Sequence, residues 1–484
     1  MESSSLFVEA SERLGSESRL PWIHVHPDAP YFVTEKGDNW TPIGQNDGIT
    51  WPDLRGLYAR RDVPSVEKYL KFLADNGVTV LRLMLEYCQG RRHYFEGPVG
   101  RFRPQMIQLW DDLFALCEKY GLRILLTPVD TFWMWIKWDY HPWNVANGGP
   151  CSDRANILLC PETRRIIKER LNFAIERWAS SGVLFAWDLW NEIHPSYAHD
   201  SAECFEEFID DLSCFVRTRE VELYGRAHPQ TVSVFGPHIT LDPRIPESVY
   251  RHPSLDFAST HFYEEGTIDY PRNTLDAALS VARMMRETLA EIPEKRPFFD
   301  SEHGPIHSFK DHHVTLPEAY DTEYFRHIQW AHLCAGGAGG GMRWPNRTPH
   351  SLTAGMRDAQ RSLAGFLPRV DFGRFHRRNL NNEVRASIPS VRVVACADNE
   401  QALVWLIRGD ILREDGTLDP NAPPIRPVVA IPGLAVGRYN VTAWDTLHGK
   451  PAAELTVNSS GCLYFQIPDL TTDIALAVRL ASRP

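Results

Sequence analysis

The sequence lacks the features that mark several large classes of protein. None of its apolar runs approaches the about 18 residues that a membrane-spanning helix needs. Its 51 Lys and Arg are outnumbered by 62 Asp and Glu, and the formal net charge is −11, whereas a nucleic-acid-binding surface requires a basic patch. His307, His312 and His313 lack metal-ligand spacing. We therefore expect no membrane, nucleic acid, metal or other cofactor, and the oligomeric state stays open.

Disulfide chemistry and secretion are also poorly supported. The nine cysteines of the 484-residue chain are scattered and include no Cys-x-x-Cys pair, which predicts reduced thiols. Cys151 and Cys160, in one loop, are the only pair to test as a disulfide. Residues 1–20 lack the apolar segment of a secretory signal. We expect a cytoplasmic protein, although a chain whose leader had been removed would look the same.

Strand and helix patterns alternate regularly from Trp40 to about residue 366. About eight such units favour an α/β fold, a (β/α)8 TIM barrel. An open doubly wound sheet is the alternative, but the sequence has no Gly-x-Gly-x-x-Gly turn for a dinucleotide. From about residue 370 the runs are short and alternating, which predicts an antiparallel β-sandwich. We expect an N-terminal extension at 1–30, the barrel at 31–369 and the sandwich at 370–484.

The most informative segment is residues 183–192, Val-Leu-Phe-Ala-Trp-Asp-Leu-Trp-Asn-Glu. This apolar run, bounded by Gly182 and Pro195, is typical of a strand buried on both faces. Its polar tip, Asn191 and Glu192, then lies at the carboxyl end of the strand. In α/β barrels the active site is at that end, because the loops after the strands converge there.

A second run of the same form, residues 296–304, brings Glu302 to another strand end. Two carboxylates at one mouth suit hydrolysis of a glycosidic bond, in which one protonates the leaving oxygen and the other meets the anomeric carbon. If they stand about 5 Å apart, the second is a nucleophile and configuration is retained. We predict that Glu192 is the acid/base and Glu302 the nucleophile. The alternatives are a surface carboxylate for the first and a capping or ion-paired carboxylate for the second.

Polar residues on other strands are expected to serve these carboxylates. Arg82 lies in an otherwise apolar run, where an unpaired charge is costly, so it should pair with Glu302 unless its ion pair is purely structural. His261 and Tyr263 follow a buried run and could fix which carboxylate carries the proton. Asn191 should bind the 2-hydroxyl of a sugar.

Aromatic side chains are expected to form the floor and walls of a sugar site. The long loop at 129–160, here called the aromatic loop, holds several tryptophans, among them Trp133, and loops of that length are usually functional. Trp344 follows the last barrel strand and is a candidate stacking floor. A self-packed lid is the alternative for any of these rings. Asp130 is a candidate for binding a sugar hydroxyl.

At these residues the sequence resembles the clan A glycoside hydrolases, most nearly family 5, the cellulase and mannanase family. The resemblance spans about residues 30–366 and is carried by ordered strand ends: Arg82, Trp190-Asn191-Glu192, His261 with Tyr263, Glu302 and Trp344. It implies that the first glutamate is the acid/base and the second the nucleophile. Residues 143–150 resemble mannanase-type members. Family 5 usually has a histidine where this chain has Asp130, and the related family 39, with an appended β-sandwich, shares both glutamates.

The sequence therefore predicts a metal-independent retaining β-glycosidase with a carbohydrate substrate. We expect exo action on short glycosides or oligosaccharides, since the bulky aromatic loop should close one end of the groove. An endo-acting β-mannanase or β-glucanase is the nearest alternative, and a transglycosidase would use the same residues. A carbohydrate-binding protein without activity is the alternative from another class.

Overall fold

The computed structural model describes residues 20–239, 244–306 and 315–482. His307, His312 and His313 lie outside the described residues. The first described element is a small antiparallel sheet of strands β1 (Ile23–Val25), β2 (Phe32–Thr34) and β3 (Asn39–Trp40). Its Phe32 and Trp40 pack on Phe185, with ring centroids 5.0 and 4.5 Å apart. Because Phe185 lies near the start of a barrel strand, this sheet covers the amino end of the barrel.

Seven chain segments form the parallel strands of a barrel. Their bounds are β4 (Gly44–Asn46), β5 (Val80–Met84), β6 (Arg123–Thr127), β7 (Leu184–Asp188), β8 (Gln230–Thr231) with its continuation β9 (Ser233–Phe235), β10 (Ala258–Phe262) and β11 (Phe298–His303). They pair in chain order, with Val232 interrupting the fifth segment. Arg343 closes the cylinder by bridging to Gln45 of β4 and His303 of β11. The predicted (β/α)8 barrel is confirmed, but its eighth strand is reduced to this one residue.

The chain leading to Arg343 runs unusually close to its neighbours. A Cβ atom on Gly339 would lie 2.3 Å from the carbonyl oxygen of Pro42, and one on Gly341 would lie 2.9 Å from Asp300 Oδ2. Contacts that short are steric clashes, so only glycine fits at both positions. The glycine-rich run 336–341 is therefore a close-packed part of the barrel.

The helices around the barrel have ends that the sequence explains. Their bounds are α1 (Val63–Asp75), α2 (Pro104–Tyr120), α3 (Thr131–Ile136), α4 (Pro161–Trp178), α5 (Phe205–Tyr224), α6 (Gly236–Ile239), α7 (Thr274–Glu291), α8 (Glu318–Cys334) and α9 (Ala354–Phe366). Asp62 caps α1, since its carboxylate accepts a hydrogen bond from Ser65 N at 3.2 Å. The fixed φ of Pro104 suits the first turn of α2, and Gly121 ends that helix with a φ of +74°.

The aromatic loop contains α3 and several short 3-10 turns. A buried ion network holds it against the barrel. The guanidinium of Arg170, on α4, lies 2.7 Å from Glu86 Oε1 and 2.6 Å from Glu96 Oε1. Glu96 Oε1 also accepts a hydrogen bond from Trp143 Nε1 at 2.8 Å. Trp143 is fully buried, so this part of the loop has a structural role.

From Arg378 onward the chain forms the predicted β-sandwich. Its strands are β12 (Arg378–Asn379), β13 (Arg385–Ala386), β14 (Val391–Ala397), β15 (Gln401–Arg408), β16 (Val428–Pro432), β17 (Gly437–Asp445), β18 (Lys450–Ser459), β19 (Cys462–Gln466) and β20 (Asp473–Ser482). A six-stranded sheet, β12-β14-β15-β20-β17-β18, and a three-stranded sheet, β13-β16-β19, share one apolar core. Arg326 of α8 forms a buried ion pair with Asp473 of β20, which joins barrel and sandwich.

None of the described helices is long and apolar enough to cross a membrane. All nine cysteines lie within the described ranges and are free. Cys151 and Cys160 therefore do not form the disulfide that their shared loop suggested. Instead, Cys151 Sγ donates a hydrogen bond to the carbonyl oxygen of Asp153 at 2.9 Å.

Candidate active site

Glu192 stands shortly after the carboxyl end of β7. Its backbone φ is +50°, a left-handed conformation that is strained for a residue with a side chain. Glu192 N donates a hydrogen bond to Ser233 Oγ at 3.0 Å, and Ile193 N donates one to the carbonyl oxygen of Ser233 at 3.0 Å. The Glu192 side chain is 21% exposed. The bonds to Ser233 hold the strained turn that presents this carboxylate at the mouth of the barrel.

Glu302 lies on β11, and its side chain is 11% exposed. Its Oε1 accepts a hydrogen bond from the hydroxyl of Tyr263 at 2.7 Å. Its Oε2 lies 3.0 Å from Arg82 Nη1. Donors from β5 and from the residue after β10 thus bind both oxygens, which fixes the orientation of the carboxylate.

Arg82 lies in the middle of β5 and is buried. Besides the expected ion pair with Glu302, its Nη1 lies 2.9 Å from Asn46 Oδ1. Its Nη2 lies 2.9 Å from Asp188 Oδ2 and 2.6 Å from Asn191 Oδ1. One guanidinium therefore binds two carboxylates and two amides at once. Its buried charge is compensated and its position is fixed.

His261 lies between the two glutamates. Its Nδ1 is hydrogen bonded to Glu192 Oε1 at 2.7 Å and lies 3.7 Å from Glu302 Oε2. One polar atom from each of the three side chains lies within 4.8 Å of the other two. The nearest oxygens of the two carboxylates therefore lie within 4.8 Å, which agrees with the about 5 Å separation of retaining glycosidases better than with the about 6.5–9.5 Å of inverting ones.

The surroundings favour different protonation states for the two glutamates. Burial raises the pKa of Glu192 to about 7, with Arg82 opposing the rise and the charge of Asp188 adding to it. Burial also raises the pKa of Glu302, against the opposing influence of His261, Arg82 and the hydroxyl of Tyr263. Because the guanidinium binds Glu302 directly and not Glu192, the proton of the pair belongs on Glu192. Burial lowers the pKa of His261 to about 4, so its imidazole is neutral at pH 7.

Asn191 and Asp130 were both expected to bind sugar, but their side chains form hydrogen bonds with other groups of the protein. Asn191 Oδ1 accepts from the buried guanidinium, and its Nδ2 donates to Thr131 Oγ1 at 2.8 Å. Asp130 is fully buried, and its two oxygens accept hydrogen bonds from Trp133 N at 3.1 Å and Cys88 N at 2.8 Å. The structure brings Asn191 together with the glutamates, whereas it places Asp130 at the amino end of α3 as a helix cap.

Two half-buried tryptophans lie at the positions expected for a floor and a wall. Trp344 follows the barrel closure, and its backbone N donates to the carbonyl oxygen of His303 at 2.8 Å. Its ring packs edge-on against Trp51, with centroids 4.9 Å apart. Trp133, on α3, packs edge-on against the exposed Phe132 at 5.3 Å. Both residues are partly buried and partly exposed.

Three residues that contact this arrangement were missed by the sequence reasoning: Asn46, Asp188 and Ser233. Asn46 Nδ2 donates to the carbonyl oxygens of Ser301 at 2.9 Å and Met342 at 3.2 Å, which ties β4 to β11, the strand that carries Glu302. Asp188 interrupts an apolar run just as the buried arginine does, so the same reasoning would have found it. Asn46 and Ser233 have no comparable sequence signature.

Among the residues that the structure describes, two groups of side chains are close enough to hold a metal ion. They are Glu192, His261 and Glu302, and Glu86, Cys88 and His141. In the first group, Arg82 and Tyr263 already bind the oxygens of Glu302. In the second, Arg170 lies 2.7 Å from Glu86 Oε1, where its positive charge opposes a cation. We assign neither group to a metal.

Solved structures share this architecture. A chain described as a glycoside hydrolase superposes with a TM-score of 0.57 at 14% identity, covering 96% of this chain and 99% of that one. A family 5 glycoside hydrolase from Bacteroides vulgatus gives a TM-score of 0.57 at 13% identity, covering 96% and 95%. A mutant family 5 mannosidase from Rhizomucor miehei, in complex with mannosyl-fructose, gives 0.51 at 14% identity, covering 72% and 97%. At such identities the likeness establishes the fold. No protein-family model and no curated protein matches the sequence.

Proposed function

We propose that this protein is a retaining glycoside hydrolase that cleaves β-linked glycosides, with Glu192 as the acid/base and Glu302 as the nucleophile. The observation that carries the proposal is the approach of the two carboxylates to within 4.8 Å, in surroundings that favour opposite protonation states. That spacing suits double displacement. The fold shared with family 5 glycoside hydrolases agrees with this assignment.

In the first half-reaction Glu302 attacks the anomeric carbon while Glu192 gives its proton to the leaving glycosidic oxygen. The bond to Glu302 forms as the bond to that oxygen breaks. In the second half-reaction Glu192 takes a proton from water, which attacks the anomeric carbon and releases Glu302. Two inversions give net retention. The neutral His261 accepts a hydrogen bond from protonated Glu192 or, as the other tautomer, donates one to its carboxylate.

For the substrate, we propose a short β-glycoside whose terminal sugar stacks on Trp344 beside the wall formed by Trp133. Pyranose faces are apolar enough to pack on an indole ring, and both rings are half-buried. The aromatic loop stands after the third barrel strand, which suits a pocket closed at one end and exo action. β-Mannosides are the first sugars to test, since the Rhizomucor miehei mannosidase of the same fold binds mannosyl-fructose.

The test is a panel of aryl β-glycosides, assayed with wild type, Glu192→Ala and Glu302→Ala with and without azide. Azide should rescue Glu192→Ala to give a β-glycosyl azide and Glu302→Ala to give an α-glycosyl azide. Glu203→Ala, at an exposed position, is the control and should keep wild-type activity. Absence of turnover on aryl glycosides, disaccharides and polymers alike would refute the proposed function. A ladder of oligosaccharides from a polymer would refute exo action alone.

A further inference from the structure

Asp188, the last residue of β7, is fully buried and makes hydrogen bonds in two directions. Its Oδ2 accepts from Arg82 Nη2 at 2.9 Å and from Thr127 Oγ1 at 3.3 Å. Its Oδ1 accepts from the backbone N of Ser233 at 2.9 Å. The three donors come from three other barrel strands, β5, β6 and β9, so the carboxylate faces the interior of the barrel.

Ser233, the partner of Oδ1, contacts Glu192, and Arg82, a partner of Oδ2, contacts Glu302. The side chain of Ser233 accepts a hydrogen bond from Glu192 N at 3.0 Å, and this bond holds the strained turn at φ +50°. Arg82 in turn binds Glu302 Oε2 at 3.0 Å. Asp188 is therefore linked to Glu192 through one residue, Ser233, and to Glu302 through one residue, Arg82.

We propose that Asp188 is a positioning residue shared by both glutamates, orienting Glu192 through Ser233 and Glu302 through Arg82. The proposal rests on the proposed function and deepens it, since neither contact involves the substrate. It gives a reason for a third buried acid in a site that already holds two glutamates. Without Asp188, Arg82 would pair with no carboxylate other than Glu302. Ser233, which holds the turn that carries Glu192, would lose the acceptor of its backbone N–H.

The chemistry of the three donors requires a carboxylate at this position. A guanidinium N–H, a backbone N–H and a hydroxyl all point at Asp188, and an ionised carboxylate offers only acceptors. An amide would turn its NH2 group toward one of these donors, whichever way it is oriented. Asp188→Asn therefore breaks the link to Arg82 or the link to Ser233 while keeping the volume of the side chain.

The charge of Asp188 also acts on the acid/base. The titratable and charged groups that surround Glu192 and Asp188 are Arg82, His261, Glu302, Tyr197 and Tyr263. Among them Asp188 raises the pKa of Glu192, since a nearby negative charge disfavours a second one. Removing that charge should lower the pKa of Glu192 and move the alkaline limb of the pH–rate profile to lower pH.

The experiment compares Asp188→Asn and Ser233→Ala with a matched control, Glu220→Gln. Glu220 is an equally buried carboxylate whose hydrogen bonds go to Trp187 Nε1 at 2.9 Å and His228 N at 2.8 Å and not to either glutamate. Asp188→Asn should lose about 100-fold in kcat with KM changed less than about threefold, the size of effect seen when a catalytic group is misplaced by about 1 Å. Its alkaline limb should shift downward. Ser233→Ala should lose kcat without that shift, and Glu220→Gln should change neither.

A second measurement keeps the test independent of turnover. In protein labelled with 13C at the glutamate side-chain carboxyl, the signal of Glu192 is identified by its absence from Glu192→Gln, and its titration midpoint is followed by NMR. The midpoint should fall in Asp188→Asn and stay unchanged in Glu220→Gln. An unchanged midpoint, or a kcat for Asp188→Asn equal to that of the control, would overturn the proposal. If the wild type cleaves no glycoside, the proposed function fails, while the midpoint still decides whether Asp188 governs Glu192.

Discussion

Arg82 Nη1 lies 3.0 Å from Glu302 Oε2, and the ion pair joins the second strand of the barrel to the seventh. The arginine side chain is 1% exposed and the glutamate 11%, so both charges have left water almost completely. Such a pair contributes little net stability in general, but removal of one partner leaves an uncompensated charge. Its value here is positional, since the pair fixes the carboxylate that we propose as the nucleophile.

Replacing Arg82 by Met should therefore destabilise the protein as well as inactivate it. We expect a loss of about 3–5 kcal/mol in the free energy of unfolding, because two buried carboxylates lose their cation. The free energy of unfolding of Arg82→Lys should lie between those of wild type and Arg82→Met, since an ammonium keeps the charge but not the forked geometry. Urea unfolding measures both. Arg60→Met removes an exposed ion pair with Asp112 and should cost less than about 1 kcal/mol. Equal losses for the two methionine variants would contradict the account of Arg82.

Tyr263→Phe removes the hydrogen bond to Glu302 Oε1 with little change in shape. That bond favours the ionised carboxylate, so its loss should raise the pKa of Glu302. The nucleophile is then ionised only at higher pH, and the acid limb of the kcat/KM profile should move upward. A hydrogen bond to a charged group contributes about 1.5–3 kcal/mol, and we expect kcat/KM to fall by a corresponding amount.

The control for this prediction is Tyr250→Phe. Tyr250 is also buried, and its hydroxyl bonds Thr260 Oγ1 on β10, away from both glutamates. Tyr250→Phe should lose about as much stability as Tyr263→Phe, and the acid limb of its kcat/KM profile should stay where it is in the wild type. An acid limb that moves downward in Tyr263→Phe would show that the hydroxyl does not favour the ionised form of Glu302.

Features of the fold and site that depend on local burial could be predicted from the sequence. The run 183–192 contains β7 and the run 296–304 contains β11, and both strands are fully buried, as an apolar run between turn residues predicts. Arg82 was found for the same reason, since a charge inside such a run needs a partner. The Pro104–Tyr120 helix has a proline and a glycine at its ends, which define it without tertiary information.

Features that depend on distant contacts could not be predicted. Asn46 binds carbonyl oxygens of Ser301 and Met342, some 255 and 296 residues away, and nothing near it in sequence indicates this. The reduction of the eighth strand to one residue could not be predicted, because the glycines before it do not reveal which backbone they approach. The edge strand Lys450–Ser459 of the sandwich is a different case, since Ala453, Leu455 and Val457 alternate with polar residues and pack on the core, a strand signature that was overlooked.

Gly341→Ala tests whether the glycine-rich run supports the site. An added Cβ would lie 2.9 Å from Asp300 Oδ2 and 3.1 Å from the ring of His303, two residues that flank Glu302 on β11. We expect a loss of about 1–3 kcal/mol in stability, together with reduced kcat, since overpacking must displace that strand. Gly90→Ala is the control, because its nearest neighbour would be 3.4 Å away, and thermal unfolding with a kinetic assay measures both variants. Wild-type kcat in Gly341→Ala would show that the strand end tolerates displacement.

The last prediction concerns Asp473, which joins the sandwich to the barrel. Its carboxylate accepts hydrogen bonds from Trp405 Nε1 at 3.0 Å and Thr446 Oγ1 at 2.5 Å and pairs with Arg326. Burial alone would raise the pKa of Asp473, but Arg326 and the hydrogen bonds outweigh it and hold the pKa far below its usual value. A depressed pKa in the folded state contributes stability above the unfolded pKa of about 3.9 and loses it as pH falls toward the folded pKa.

Asp473→Asn should therefore unfold with a free energy about 3–5 kcal/mol lower than wild type at pH 7, since Arg326 is left buried without its partner charge. The difference should shrink as pH falls below about 4, because only the wild type then loses the contribution of the carboxylate. Urea unfolding at pH 7, 5, 4 and 3 measures the trend, with the exposed Asp28→Asn as a control that should change stability little. A difference that stays constant from pH 7 to 3 would mean that shape at this contact, and not the charge of Asp473, holds the sandwich to the barrel.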